Sequence, residues 1–124
     1  MQGSLAYHTS GALIVLEHRF YGRSQPVPNS ETRANNTDRF QYHTIAQALD
    51  DLVYFAENVQ VVPGVVQGND TAMIRPNETA WVFVGGSYSG GLANYLLQAR
   101  PGVFWAAYSS SGVVEPIVYV TWYS

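Results

Sequence analysis

A chain of 124 residues is long enough for one small domain with one core, and its charged share of 12% is about half the usual ~25%. A net charge of -3, with six arginines and no lysine, gives no clustered positive charge and excludes a nucleic-acid footprint. No apolar run approaches the roughly 18 residues of a membrane span, and Met1 to Ser4 has neither the basic start nor the apolar stretch of a signal peptide.

With 47% hydrophobic residues and so little charge, the chain reads as the interior of a larger protein. Cysteine is absent, so thiols say nothing about the redox compartment. Three glycosylation sequons begin at Asn35, Asn69 and Asn77 (Asn35-Asn36-Thr37, Asn69-Asp70-Thr71 and Asn77-Glu78-Thr79). All three fall in stretches read as loops, which fits a secretory-pathway parent.

Ala12-Leu13-Ile14-Val15-Leu16 is a continuous apolar run that ends in the charged Glu17-His18-Arg19. It predicts a strand buried on both faces, as in a parallel sheet, with its polar end at the edge where α/β folds place their sites. Residues 22–41 read as a loop. Thr44 and Gln47 make a capping-box pattern, and Ile45, Leu49, Leu52, Val53 and Ala56 then recur at helical spacing. Asp50, Asp51 and Glu57 fall on the solvated side of that helix. Residues 59–79 read as a second loop.

Residues 80–84 (Ala-Trp-Val-Phe-Val) predict a second buried strand, and 85–91 a small-residue turn. Leu92 to Arg100 reads as a helix stopped by Pro101-Gly102. Val103 to Tyr108 predicts a third strand, followed by Ser109-Ser110-Ser111-Gly112; the tail from Val113 has no assignable role. No repeat or internal domain boundary is visible. The order is an α/β pattern with parallel strands and crossover helices.

Val84-Gly85-Gly86-Ser87-Tyr88-Ser89-Gly90-Gly91 carries the chemistry. A serine between a buried strand and a helix start is the nucleophile-elbow arrangement. The bend is sharp, so its flanks must be small, and the serine then stands above the sheet. The helix N-terminus behind it offers a positive dipole end to a developing oxyanion, with the Tyr88 N–H as one donor. In Gly-x-Ser-x-Gly the last position here is Ser89, small but not glycine. Ser89 fits worse as nucleophile, because Ser87 would then replace the first glycine. The bland alternative is a glycine-rich turn without chemistry. A phosphate loop is disfavoured: position 87 breaks the dinucleotide spacing, and no lysine exists for a P-loop.

Leu16-Glu17-His18-Arg19-Phe20-Tyr21-Gly22-Arg23-Ser24 resembles the Glu-His-Arg-Tyr-Tyr-Gly-x-Ser segment of the prolyl carboxypeptidase and dipeptidyl peptidase II family of serine peptidases. Gly85-Gly86-Ser87-Tyr88-Ser89-Gly90 is similar to that family's elbow. Gly102-Val103-Phe104-Trp105-Ala106-Ala107 and Ser110-Ser111-Gly112 look like the strand after it.

The resemblance implies a partial α/β-hydrolase fold over residues 1–124: three layers, a mostly parallel sheet flanked by helices, and no second domain. It implies a serine-type exopeptidase acting through an acyl-enzyme on Ser87, on peptides with proline near the scissile bond. No cofactor, metal or nucleic acid is implied. The parent would be secreted, lysosomal or vacuolar.

The triad acid and histidine are expected downstream of residue 124, so the isolated chain is expected to be inactive. His8, His18 and His43 all precede Ser87. His18 is expected to be structural, and Glu17 and Arg19 to form an ion pair. The family's sheet order predicts that 12–16 and 80–84 do not pair directly. An esterase or lipase of the same fold and a non-catalytic truncated chain are the rival readings.

Overall fold

The computed structural model describes residues 2–27, 38–60 and 74–115. The chain divides into two compact units, Met1–Arg75 and Pro76–Ser124.

The first unit opens with α1 (Gln2–His8), which no feature of the sequence announced. Its end is closed by Ser10 in the left-handed region (φ 52). The Gly11 N–H reaches Ala6 O at 2.8 Å and the Ser10 N–H reaches Tyr7 O at 3.4 Å, satisfying terminal carbonyls of the helix.

A 3-10 helix (Asp38–Tyr42) precedes α2 (Ile45–Asn58). Thr44 caps α2 as its spacing foretold: its hydroxyl accepts the Gln47 N–H at 3.3 Å and lies 3.1 Å from Gln47 Oε1. The second half of a capping box, Gln47 reaching back to the Thr44 backbone, is replaced by this side-chain pair. Ala48, Leu49 and Ala56 are buried, while Ile45 is exposed.

Two expectations fail in this unit. Residues 12–16 form no strand, and the run is exposed rather than buried, with Val15 at 80%. A strand exists only where a neighbour takes its backbone hydrogen bonds, and no strand pairs with this run among the described residues. The expected Glu17–Arg19 ion pair is also absent. Arg19 pairs instead with Asp51, whose side chain stays 43% exposed. Glu17 turns back on its own loop, and its carboxylate accepts the N–H groups of Arg23 at 2.9 Å and Ser24 at 2.8 Å.

The second unit is a β-α-β element. β1 (Val82–Gly86) leads through Ser87 into α3 (Tyr88–Ala99), and β2 (Ala106–Ser110) returns parallel to β1. The register runs from Val82 opposite Ala106 to Gly86 opposite Ser110. Both strands lie two or three residues later than the sequence suggests, and α3 starts four residues earlier. Of the glycines read as turn, Gly85 and Gly86 therefore belong to the end of β1 and Gly90 and Gly91 to the first turn of α3.

Leu92, Ala93 and Leu96 of α3 form the core with Phe104. The Phe104 ring meets Trp81 and Phe83 edge-on, each at 6.1 Å between centroids. Burying α3 and the aromatic trio against the two-stranded sheet supplies the hydrophobic drive that fixes the β1–α3 junction.

Candidate active site

Ser87 occupies the single residue between β1 and α3. Its backbone has φ 53 and ψ -118, a conformation that L-residues avoid and that persists only when the surroundings impose it. They do so from both sides. The Ser87 N–H donates to Ser110 O at 2.9 Å. The Ser87 carbonyl accepts from Gly91 N–H and from Val113 N–H, each at 3.1 Å. A serine at a helix N-cap ordinarily turns its hydroxyl onto its own helix. Here it makes no capping bond, and the residue is exposed.

Small residues are required where the turn closes. A Cβ on Gly85 would collide with the backbone carbonyl of Ser89, so position 85 admits only glycine. The atoms that such a Cβ would strike are backbone atoms of Ser89 and Gly90. A Cβ on Gly90 would lie 2.8 Å from the Gly112 Cα, because α3 passes directly against the turn after β2. Ser109 secures that approach: its hydroxyl donates to Gly90 O at 2.8 Å and lies 3.3 Å from Asn94 Nδ2. Ser111, with φ 50, turns the chain so that Gly112 and Val113 reach Ser87 and Gly90.

These contacts from Ser109 to Val113 were not identified from the sequence as part of the site. The signal for them was the small-residue run after the last strand.

Tyr88 is the first residue of α3, so its N–H lies at the positive end of the helix dipole, adjacent to the Ser87 side chain in sequence. The geometry therefore offers an exposed hydroxyl and backbone donors at a helix start. Residues 76–124 contain no histidine and no aspartate.

The three histidines lie in the first unit. His18 packs edge-on against Tyr21 at 5.2 Å and shares a 2.7 Å Nδ1 contact with Arg19 O, which requires the Nδ1–H tautomer. Its ring is also 6.0 Å from His43. This is the packed environment expected of a structural histidine. The Ser24 hydroxyl and N–H, and then the Arg23 N–H, hold the Glu17 carboxyl below its ordinary value; desolvation opposes them. The Asp51 carboxylate raises the Arg19 pKa above its ordinary value.

Asn77 is exposed in the turn before β1, whereas Asn35 and Asn69 lie outside the described residues. Among the described residues no three His, Asp or Glu side chains gather as a metal site, and no helix is long and apolar enough to cross a membrane.

Residues 2–123 match the family model described as Serine carboxypeptidase S28, and the chain belongs to that family. It is 40% identical over 113 residues to a "Probable extracellular serine carboxypeptidase" of Arthroderma benhamiae, covering 91% of this chain and 14% of that one. It is 36% identical over 115 residues to "Serine protease vicPb" of Bipolaris victoriae, covering 93% and 20%. To the "Thymus-specific serine protease" of Mus musculus it is 30% identical over 109 residues, covering 87% and 18%. The chain thus spans a fifth or less of the length of these relatives.

Proposed function

We propose that residues 1–124 are one part of an α/β-hydrolase domain and that Ser87 is the nucleophile of a serine exopeptidase. The observation that carries this reading is the strained, exposed Ser87 between β1 and α3, held by backbone bonds to Ser110, Gly91 and Val113.

In this reading the Ser87 Oγ attacks the scissile carbonyl carbon as a base takes its proton. The Tyr88 N–H donates to the oxyanion that forms. The leaving amine departs with a proton from the same base, and water then hydrolyses the acyl-enzyme. The base and its acid partner come from sequence beyond residue 124, so residues 1–124 alone hydrolyse nothing. Proline near the scissile bond follows from the resemblance of residues 16–24 and 85–90 to prolyl carboxypeptidase and dipeptidyl peptidase II. The name of the Arthroderma relative, an extracellular serine carboxypeptidase, and the three sequons support passage through the secretory pathway.

The test is covalent labelling of the complete polypeptide with a fluorophosphonate. Ser87→Ala is expected to abolish labelling while Ser89→Ala keeps it. Undiminished labelling of the Ser87→Ala protein removes Ser87 from its role. Cleavage of proline-containing peptides is expected; turnover of simple esters without peptide cleavage would favour an esterase.

A further inference from the structure

We propose that Ser109 is a positioning residue for the chemistry at Ser87: with Asn94 it starts a hydrogen-bonded chain that runs through two peptide units and ends on the Tyr88 N–H. The proposal rests on the reading of Ser87 as nucleophile and of the Tyr88 N–H as oxyanion donor.

The bonds of this chain all point one way. Asn94 Nδ2, on α3, donates to the Ser109 hydroxyl at 3.3 Å. That hydroxyl donates to Gly90 O at 2.8 Å. Gly90 O and the Gly91 N–H are the two ends of one peptide unit, and the Gly91 N–H donates to Ser87 O at 3.1 Å. Ser87 O and the Tyr88 N–H are again the ends of one peptide unit. The Val113 N–H donates to the same Ser87 O, also at 3.1 Å.

Each donation draws electron density toward the carbonyl oxygen it reaches. Resonance across the planar amide passes that pull to the N–H at the other end, so successive bonds strengthen one another. The Tyr88 N–H comes last and has no further carbonyl in the chain to serve. It is left a stronger donor at the site where negative charge develops. The chain also fixes its direction: the 90–91 peptide is held at both ends, and the 87–88 peptide at its carbonyl by two donors. A donor fixed before the charge forms needs no reorganisation when it does.

The serines at the end of β2 divide the work. Ser110 gives its carbonyl to the Ser87 N–H, and Ser111 gives its left-handed backbone to the turn. Ser109 gives its hydroxyl. The reach of so short a side chain depends on Gly90, where a Cβ would lie 2.8 Å from the Gly112 Cα and 3.0 Å from Ser110 O. Every link lies between residues of the β1–α3–β2 unit itself.

The experiment measures the kinetics of fluorophosphonate labelling in the complete polypeptide, separating the limiting rate kinact from the half-saturation KI. Ser109→Ala is expected to lower kinact by roughly 3- to 30-fold with KI unchanged, short of the ~10²–10³ that follows loss of an oxyanion donor outright. Ser109→Thr keeps the hydroxyl and is expected to restore the parent kinact. Asn94→Ala removes only the first donor and is expected to fall between. Parent kinact in Ser109→Ala, beside abolished labelling in Ser87→Ala, overturns this inference and leaves Ser87 in its role. Equal loss in Ser109→Ala and Ser109→Thr that follows their melting midpoints makes Ser109 a packing residue only, and also overturns it. If Ser109→Ala does not fold, Asn94→Ala decides, and a parent kinact there overturns the chain. Labelling that survives Ser87→Ala overturns both readings.

Discussion

Arg19 and Asp51 meet as a fork on a fork: the guanidinium Nε and Nη2 donate to Oδ2 and Oδ1, both at 2.6 Å. A third donor, Nη1, reaches Tyr42 O at 2.7 Å. One side chain thus ties the loop after residue 16 to α2 and to the end of the 3-10 helix. Lysine cannot reproduce the paired bonds. Because the Asp51 side chain is 43% exposed, solvent screens the pair. Asp51→Asn and Arg19→Lys are each expected to cost about 1 kcal/mol. Urea denaturation of the two single variants and the double variant checks this; strictly additive costs would show that the two residues are uncoupled.

Glu17 gives the same loop a dependence on acid. Its folded carboxyl titrates below its ordinary value of 4.5, through the Ser24 hydroxyl and N–H first and then the Arg23 N–H. A depressed carboxyl contributes stability that is present above the unfolded value and is lost as pH falls through the folded one. The loop is therefore expected to loosen only below about pH 4.5. Amide exchange at Arg23 and Ser24 should accelerate, relative to intrinsic rates, in that window. Glu17→Gln should remove the acid dependence, and an unchanged profile in that variant would assign it elsewhere.

Gly85 and Gly86 look equivalent in the sequence and are not equivalent in space. A methyl at 85 strikes the Ser89 carbonyl, whereas one at 86 finds Ser110 O at 3.8 Å, an ordinary contact. Gly85→Ala is expected to cost about 3 kcal/mol, at the upper end for overpacking, with loss of fluorophosphonate labelling. Gly86→Ala is expected to stay within about 0.5 kcal/mol of the parent. Denaturation midpoints that rank the two alike would contradict the close approach of β1 to α3.

The strain at Ser87 predicts opposite movements of stability and chemistry. Relieving φ 53, ψ -118 with glycine is expected to raise stability by about 1–3 kcal/mol, while alanine keeps the strain and leaves stability near the parent. Both variants should lose labelling. Equal melting curves for Ser87→Gly and Ser87→Ala would show that the backbone there is relaxed.

What the sequence made readable was local. Thr44 and Gln47 announced the start of α2 because a cap is a contact between residues three apart. The bend at Ser87 was readable because an apolar run, small residues and a helix pattern follow one another without a gap. The misreadings have a common cause in partners distant along the chain. Arg19 chose Asp51 over the nearby Glu17, since Glu17 serves two N–H groups of its own loop. Residues 12–16 have the composition of a strand, but composition does not supply the neighbour that makes one. Gly85 was read as turn, because a glycine needed for close packing inside a strand end looks the same as one needed for a bend.

The two bonds that pin Ser87 to Ser110 and Val113 set a ruler three residues long. Most connections on a protein surface absorb insertions and deletions freely, because nothing claims their backbone. This one is claimed at both ends. Adding or deleting a residue there would re-aim the hydroxyl, so length variation compatible with a working Ser87 has to lie beyond Val113. Loop grafting meant to change what this surface recognises is bound by the same limit.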